Sequence, residues 1–482
     1  MLQRYIARIQ QVNGSVNAVS QINPDALHDA VARDQERTSG YVRGPLHGAP
    51  NLVKETMCTL DRMETTAGSL ALVGARPSTE AAVVNRLRDA GAVILGKGTV
   101  TEWSNTRSSN TPNGWSATSG QCYGAFFGKQ DPQGLSSGCA VAMSIGLAVT
   151  AIGAEGSITY PAQNNGVVGL KPTVGLVSRA GVVSVSKHKD TVGPITRTVE
   201  DAALVLSVIA GQCLEDPTTN TIPFEKVPDF VAACKPDALR GARIAVSPSV
   251  MERYYDAELL HALENALQVM ESEGAHIVRD VDFVGWDYGT TKREEMPANI
   301  FLKEGLESYF QSLATNPHGI HTIADLISFM ENTPEEEVEK YGINAFLAAK
   351  DEPRDNSSME FQEAVRRMIE QGSAISKLLD QANGDALVVP TTADIPSDLG
   401  QNPAIAVPLG FFPAMREKTT SVNQMIAKGP NIPYSLSFVG KKFSDEKLIG
   451  IAYAFEQSTN VLATSQPCVR PTGPILAVSD KL

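Results

Sequence analysis

A cationic surface is what this 482-residue chain most clearly lacks: 54 Asp and Glu outnumber 41 Lys and Arg, for a formal charge of −13. Phosphate backbones are held by clustered Lys and Arg, and no such cluster occurs, which excludes a nucleic-acid partner. No apolar stretch approaches the roughly 20 residues of a membrane span, so no membrane association is expected. The opening Met1-Leu-Gln-Arg-Tyr-Ile6 is amphipathic and has no apolar core of the kind a signal peptide carries. Cysteine is sparse and scattered (Cys58, Cys122, Cys139, Cys213, Cys234, Cys468) with no C-x-x-C pair. Reduced thiols are therefore the expectation, not a disulfide framework. Of the seven histidines only His318 and His321 are close, and no Cys or second acid near them completes a ligand set, so no metal is implied. No Walker or Rossmann glycine pattern stands in a convincing setting, which leaves no cofactor to expect. Together the absences describe a cytoplasmic protein acting on a small molecule, with a homodimer left open.

What is present can bury a large core. Hydrophobic residues make up 42% and charged residues 20% of the chain, as in globular proteins. Leu2, Tyr5, Ile6, Ile9 and Val12 recur at helical spacing, and a second helix is expected over Asp25 to Glu36. Asn51-Leu-Val-Lys54 reads as a short strand after a Gly/Pro turn, Ala81 to Ala90 as a helix, and Gly91 to Leu95 as a buried strand. A small-residue helix from Ala140 to Gly146 leads into a strand at Leu147 to Ile152, and Thr198 caps a helix over Ala202 to Ala210. Arg243-Ile-Ala-Val246 and His276-Ile-Val278 read as strands around a helix at Ala257 to Glu271. Residues 296 to 383 are largely helical, with Thr333 to Lys340 as a solvated helix start. Strands return at Ala386 to Pro390 and Pro403 to Pro408, and Ser444 caps a last helix. Strands alternating with helices predict an α/β fold, a mixed and mostly parallel sheet covered by helices on both faces. No linker splits the chain. The expectation is one domain over 1–470, with a core at 44–211, a mostly helical insertion at about 212–383, a return to the core at 384–470, and a tail at 471–482.

The chemistry is concentrated in Gly153-Ala-Glu155-Gly156-Ser157. A serine after glycine-bearing residues lets backbone N–H groups approach a carbonyl oxygen that is gaining charge. A serine hydroxyl needs a base, and neutral lysine serves where the surroundings are dry. Lys54, at the end of an apolar strand, stands where such a base could be buried.

Several linked motifs add to this reading. Gly44-Pro-Leu-His-Gly-Ala-Pro-Asn-Leu-Val-Lys54, Leu87 to Lys97, Ala151 to Ala162, Gly169-Leu-Lys-Pro-Thr173, Asp190 to Arg197 and Ala404 to Gly410 occur in this order. They resemble the amidase signature family, serine hydrolases with a Ser–Ser–Lys relay, over nearly the whole chain and most closely its fungal and bacterial acetamidase-type members. The resemblance implies the amidase signature fold and cleavage of a small-molecule amide through an acyl-enzyme. By position it implies Lys54 as base, Ser157 as nucleophile, and the Glu155 and Gly156 backbone as oxyanion donors.

Two departures from the family pattern bear on activity. In Asp131-Pro-Gln-Gly-Leu135-Ser136-Ser137-Gly138 a gapless match puts Leu135 where the family has its bridging serine, leaving Ser136 as the nearest substitute. The loop before Ser157 is also two residues shorter than the family's. These departures support an alternative, a non-catalytic paralogue that binds a ligand or partner. The glutaminase component of a tRNA-dependent amidotransferase is a third reading. Other candidates have plainer explanations. Ser144, in Ala142-Met-Ser-Ile-Gly146, lies in a helical pattern instead of a strand–turn–helix. Asp190 is expected to tie down its own turn rather than join His188, and Cys139 to pack. Asn164-Asn165-Gly166 reads as a turn.

Overall fold

The computed structural model describes residues 1–154, 157–183, 185–186, 188–253, 256–284, 286, 295–391, 393 and 395–473. Eleven strands form one large sheet: β1 (Val19–Ile22), β2 (Pro50–Lys54), β3 (Val93–Gly98), β4 (Thr150–Ala154), β5 (Val168–Lys171), β6 (Val192–Thr196), β7 (Arg243–Ala245), β8 (His276–Val278), β9 (Ala386–Pro390), β10 (Ala404–Phe411) and β11 (Pro433–Val439). Their order across the sheet is β1-β3-β2-β4-β6-β5-β10-β11-β9-β7-β8. The chain is α/β with a mixed sheet, as expected, but parallel pairing is confined to β3-β2-β4 and β9-β7-β8. The centre and the β1 edge are antiparallel. Connections explain the difference. A helix crosses over between β2 and β3 (Ala82–Asp89) and between β7 and β8 (Ala257–Ser272), whereas β10 and β11 are joined without one.

Helices form where the periodicity predicts them. Helix Leu2–Val16 buries Leu2, Tyr5, Ile9, Val12 and Val16 and ends at Asn17, whose left-handed backbone donates its N–H to Asn13 O. Thr198 caps helix Val199–Ile209 by accepting from Asp201 N–H. The stretch between β8 and β9 is largely helical, including helices Glu295–Gln311, Ile323–Glu331 and Asn344–Asp351. Among the described residues no helix is long and apolar enough to cross a membrane.

The expectation of a solvated helix start at Thr333 to Lys340 is corrected. Pro334–Glu336 is a short 3-10 turn, and Glu336 is fully buried. Its Oε1 accepts from Ser69 Oγ at 2.6 Å and from Leu70 N–H at 2.8 Å. Neighbouring glutamates disguise it, because a run of acids ordinarily marks a wet surface.

Helix Ser137–Ser144 matters most for the site, and glycine lets it settle on the sheet. A Cβ on Gly98 would stand 2.6 Å from Cys139 Sγ, and one on Gly138 would collide with the backbone of Ala18 and Thr99. Because those neighbours of Gly138 are main-chain atoms, they cannot swing aside. We expect Gly138→Ala to destabilise the protein by about 3 kcal/mol, read as a lower denaturant midpoint in equilibrium unfolding. An unchanged midpoint would show that the helix does not rest on this contact.

Candidate active site

Strand β2 lies between β3 and β4, and all five of its residues are buried. A strand covered on both faces is expected to be apolar throughout, yet β2 ends in Lys54, which has no exposed surface. Lys54 pairs with Gly98 in the parallel register. The Lys54 ammonium group donates to Ser104 Oγ at 3.0 Å. Ser104 belongs to no motif singled out from the sequence.

Ser157 follows β4 and precedes the short helix Thr159–Asn164, and it is 5% exposed. Its Oγ accepts from the backbone N–H of Leu135 at 2.6 Å. The residue aligned with the family's bridging serine therefore meets the candidate nucleophile, but through its main chain. A hydrogen-bond donor aimed at a hydroxyl oxygen favours the charge that builds there when the proton leaves.

The loop that supplies this donor is tightly fixed. Thr101 at its base donates through Oγ1 to Gly134 O at 3.0 Å and through its N–H to Leu135 O at 3.3 Å. Ser137 Oγ donates to Gly134 O at 2.7 Å. Gln163, on the helix after Ser157, reaches back with Nε2 to Gln133 Oε1 at 2.9 Å. Gly134 has φ +65, and a Cβ there would lie 2.5 Å from both Ser157 Oγ and Pro161 Cδ. Only glycine allows the loop to lie this close to the hydroxyl.

Ser136, the substitute bridge, is fully buried at the N-terminus of helix Ser137–Ser144. Its Oγ accepts from Ala154 N–H at 3.4 Å, at the end of the strand that leads to Ser157. Glu155 and Gly156, the expected oxyanion donors, lie outside the described residues. The plainer readings hold for the remaining candidates. Ser144 Oγ donates to Val141 O at 2.7 Å within its helix. Asp190 accepts from Val185 and Ser186 N–H at 2.8 and 2.7 Å, tying down its turn, while His188 Nε2 faces Leu399 O at 3.0 Å. Cys139 is buried, and burial pushes its thiol up to about 12 despite the nearby charge of Lys54.

Beside Ser104 is a dry ionic cluster for which the sequence carries no sign. Arg107 Nη1 stands 2.8 Å from Glu102 Oε1 and 3.6 Å from Glu336 Oε2, with all three side chains fully buried. Burial and the second carboxyl push Glu102 well above the ordinary carboxylate range, against the pull of Arg107.

Comparison with known proteins shows the family. The family model described as Amidase matches residues 1–449. The chain belongs to the amidase family. It is 40% identical over 98% of its length to a protein of Arthroderma benhamiae named "Putative amidase", covering 81% of that relative. It is 30% identical over 94% of its length to a glutamyl-tRNA(Gln) amidotransferase component of Moorella thermoacetica, covering 92% of it. The crystal structure of native peptide amidase from Stenotrophomonas maltophilia superposes with a TM-score of 0.85 at 36% identity, covering 95% of this chain and 92% of that one. This family member is an amidase, a hydrolase of amide C–N bonds.

We expect Gly134→Ala to remove reactivity at Ser157 by about 10²-fold or more, since the methyl group would occupy the hydroxyl's own space. Labelling by a fluorophosphonate, quantified by peptide mass spectrometry, reads this. Wild-type labelling in a folded variant would show that the loop does not govern the hydroxyl.

Proposed function

We propose that the chain hydrolyses a carboxamide through an acyl-enzyme on Ser157. The observation that carries this reading is the Leu135 N–H donated to Ser157 Oγ at 2.6 Å. The hydroxyl sits at a strand end, nearly buried, with a main-chain donor already in place. In the first half-reaction Oγ attacks the carboxamide carbon, and its proton passes toward the amine of Lys54. That proton is then delivered to the departing nitrogen, which leaves as ammonia or an amine. Water attacks the ester, the carboxylate leaves, and Ser157 regains its proton. Ser136 is the candidate for relaying the proton between the two groups, and the Glu155 and Gly156 backbone groups are the candidate oxyanion donors. Losing one such donor typically costs about 10²–10³ in rate.

The name peptide amidase, carried by a relative with 36% identity, supports a peptide amide as the first substrate to try. One observation favours a second reading, an amidase-family protein that binds without turnover. Leu135 stands where the family has a bridging hydroxyl, and its side chain has no proton to pass.

Two variants separate these readings. Ser157→Ala is expected to abolish both amide hydrolysis and fluorophosphonate labelling while leaving the melting temperature nearly unchanged. Leu135→Ser is expected to raise the rate of a slow enzyme about tenfold or more, in keeping with the contribution of a positioned proton carrier. Well-folded wild-type protein that takes no label and hydrolyses no amide supports the binding reading.

A further inference from the structure

Trp103, Ser104 and Asn105 form a turn with φ values of 49, 50 and 55. Three consecutive non-glycine residues in the left-handed region are unfavourable for L-amino acids, which enter it singly if at all. Such a conformation persists only where the surroundings over-determine it, and it concentrates at functional sites.

The surroundings here are explicit. Trp103 donates its N–H to Ala67 O at 2.9 Å, and its ring meets those of Phe310 and Phe346 edge-on, at 6.2 and 6.1 Å between centroids. On either side of the turn, Glu102 and Arg107 close the buried ion pair. Arg107 also donates from Nη2 to Glu336 O and from Nε to Gly342 O, both at 3.0 Å. The turn is thus gripped by the largely helical stretch between β8 and β9. What it delivers is one hydroxyl, 2% exposed, at 3.0 Å from the Lys54 nitrogen.

We propose that Ser104 is the positioning residue for Lys54, its hydroxyl accepting an N–H so that the amine presents its lone pair in a single direction. This rests on the reading of Lys54 as the base for Ser157. An amine at the end of four methylene groups rotates freely unless something holds it, and a proton can be collected only along the lone pair. The left-handed turn is strained because the hydroxyl must reach a group buried under the sheet's end. Neither a helix nor a strand at 103–105 would supply it.

Ser104→Gly tests this, because glycine removes the hydroxyl and also relieves the left-handed strain. The melting temperature is expected to stay level or rise. The limiting first-order rate of fluorophosphonate labelling at Ser157 is expected to fall about 10- to 100-fold, with the half-saturating probe concentration unchanged. Wild-type labelling kinetics in Ser104→Gly, or a loss that appears only together with a lowered melting temperature, would overturn the proposal. Wild-type protein that takes no label at any pH removes the Ser157 reading instead. The pairing is then read from the Lys54 ¹³Cε signal in lysine-labelled protein, assigned by its loss in Lys54→Met. Displacement of that signal in Ser104→Gly supports the pairing, and an unmoved signal overturns it.

Discussion

An amino group held at the end of a strand that is buried on both faces is the constraint around which this structure is organised. Lys54 has no exposed surface, and a polar group taken out of water must be given partners by the protein. The sheet cannot supply them, because main-chain N–H and C=O groups in its interior already satisfy one another. Loops beyond the strand ends must therefore converge on the amine, and each must carry side chains small enough to fit. The turn at 103–105 brings the hydroxyl that accepts from Lys54. Helix Ser137–Ser144 settles on the same region through Gly98 and Gly138.

This convergence also explains why the stretch between β8 and β9 matters to chemistry it does not itself carry. Glu336 reaches the core segment at Ser69 and Leu70, and its carboxyl stands beside Arg107. A dry cluster of one guanidinium and two carboxyls is poor evidence for stability, since desolvation offsets much of its attraction. Its value is directional. Arg107 has donors on two main-chain carbonyls, Glu336 O and Gly342 O, so the turn before it can take up only one position. Burial and the neighbouring Glu336 carboxyl push the Glu102 carboxyl upward against the pull of Arg107.

Much of this is legible in the sequence wherever a period or a family motif is involved. The buried face of Leu2–Val16, the Thr198 cap and the strand ending at Lys54 follow from spacing and local chemistry. Lys54 and Ser157 stand out because linked motifs give them positions. Other features have no local signal. Glu336 is hidden in a run of glutamates that looks solvated. Ser104 lies in Thr-Glu-Trp-Ser-Asn, where only Asn105 belongs to a residue type that tolerates a left-handed backbone; tertiary packing by Phe310 and Phe346 decides the turn. Gly134 stands in plain view beside Leu135, and the adjoining Gln-Gly is a signal from which its positive φ could be suspected.

Leu135 shows most clearly why residue identity and site geometry must be weighed separately. Judged by its side chain, a leucine at the family's bridging position breaks a chain of hydroxyls. Yet the same residue donates its amide to Ser157 Oγ at 2.6 Å, and that donation needs nothing from the side chain. A main-chain donor can stabilise negative charge on the oxygen but cannot carry its proton away. What the substitution removes is therefore the route of the proton and not the polarisation of the nucleophile. Under the acyl-enzyme proposal the proton then needs another carrier, a hydroxyl such as that of Ser136 or a water molecule. The main-chain donation to Ser157 Oγ is independent of which side chain stands at 135.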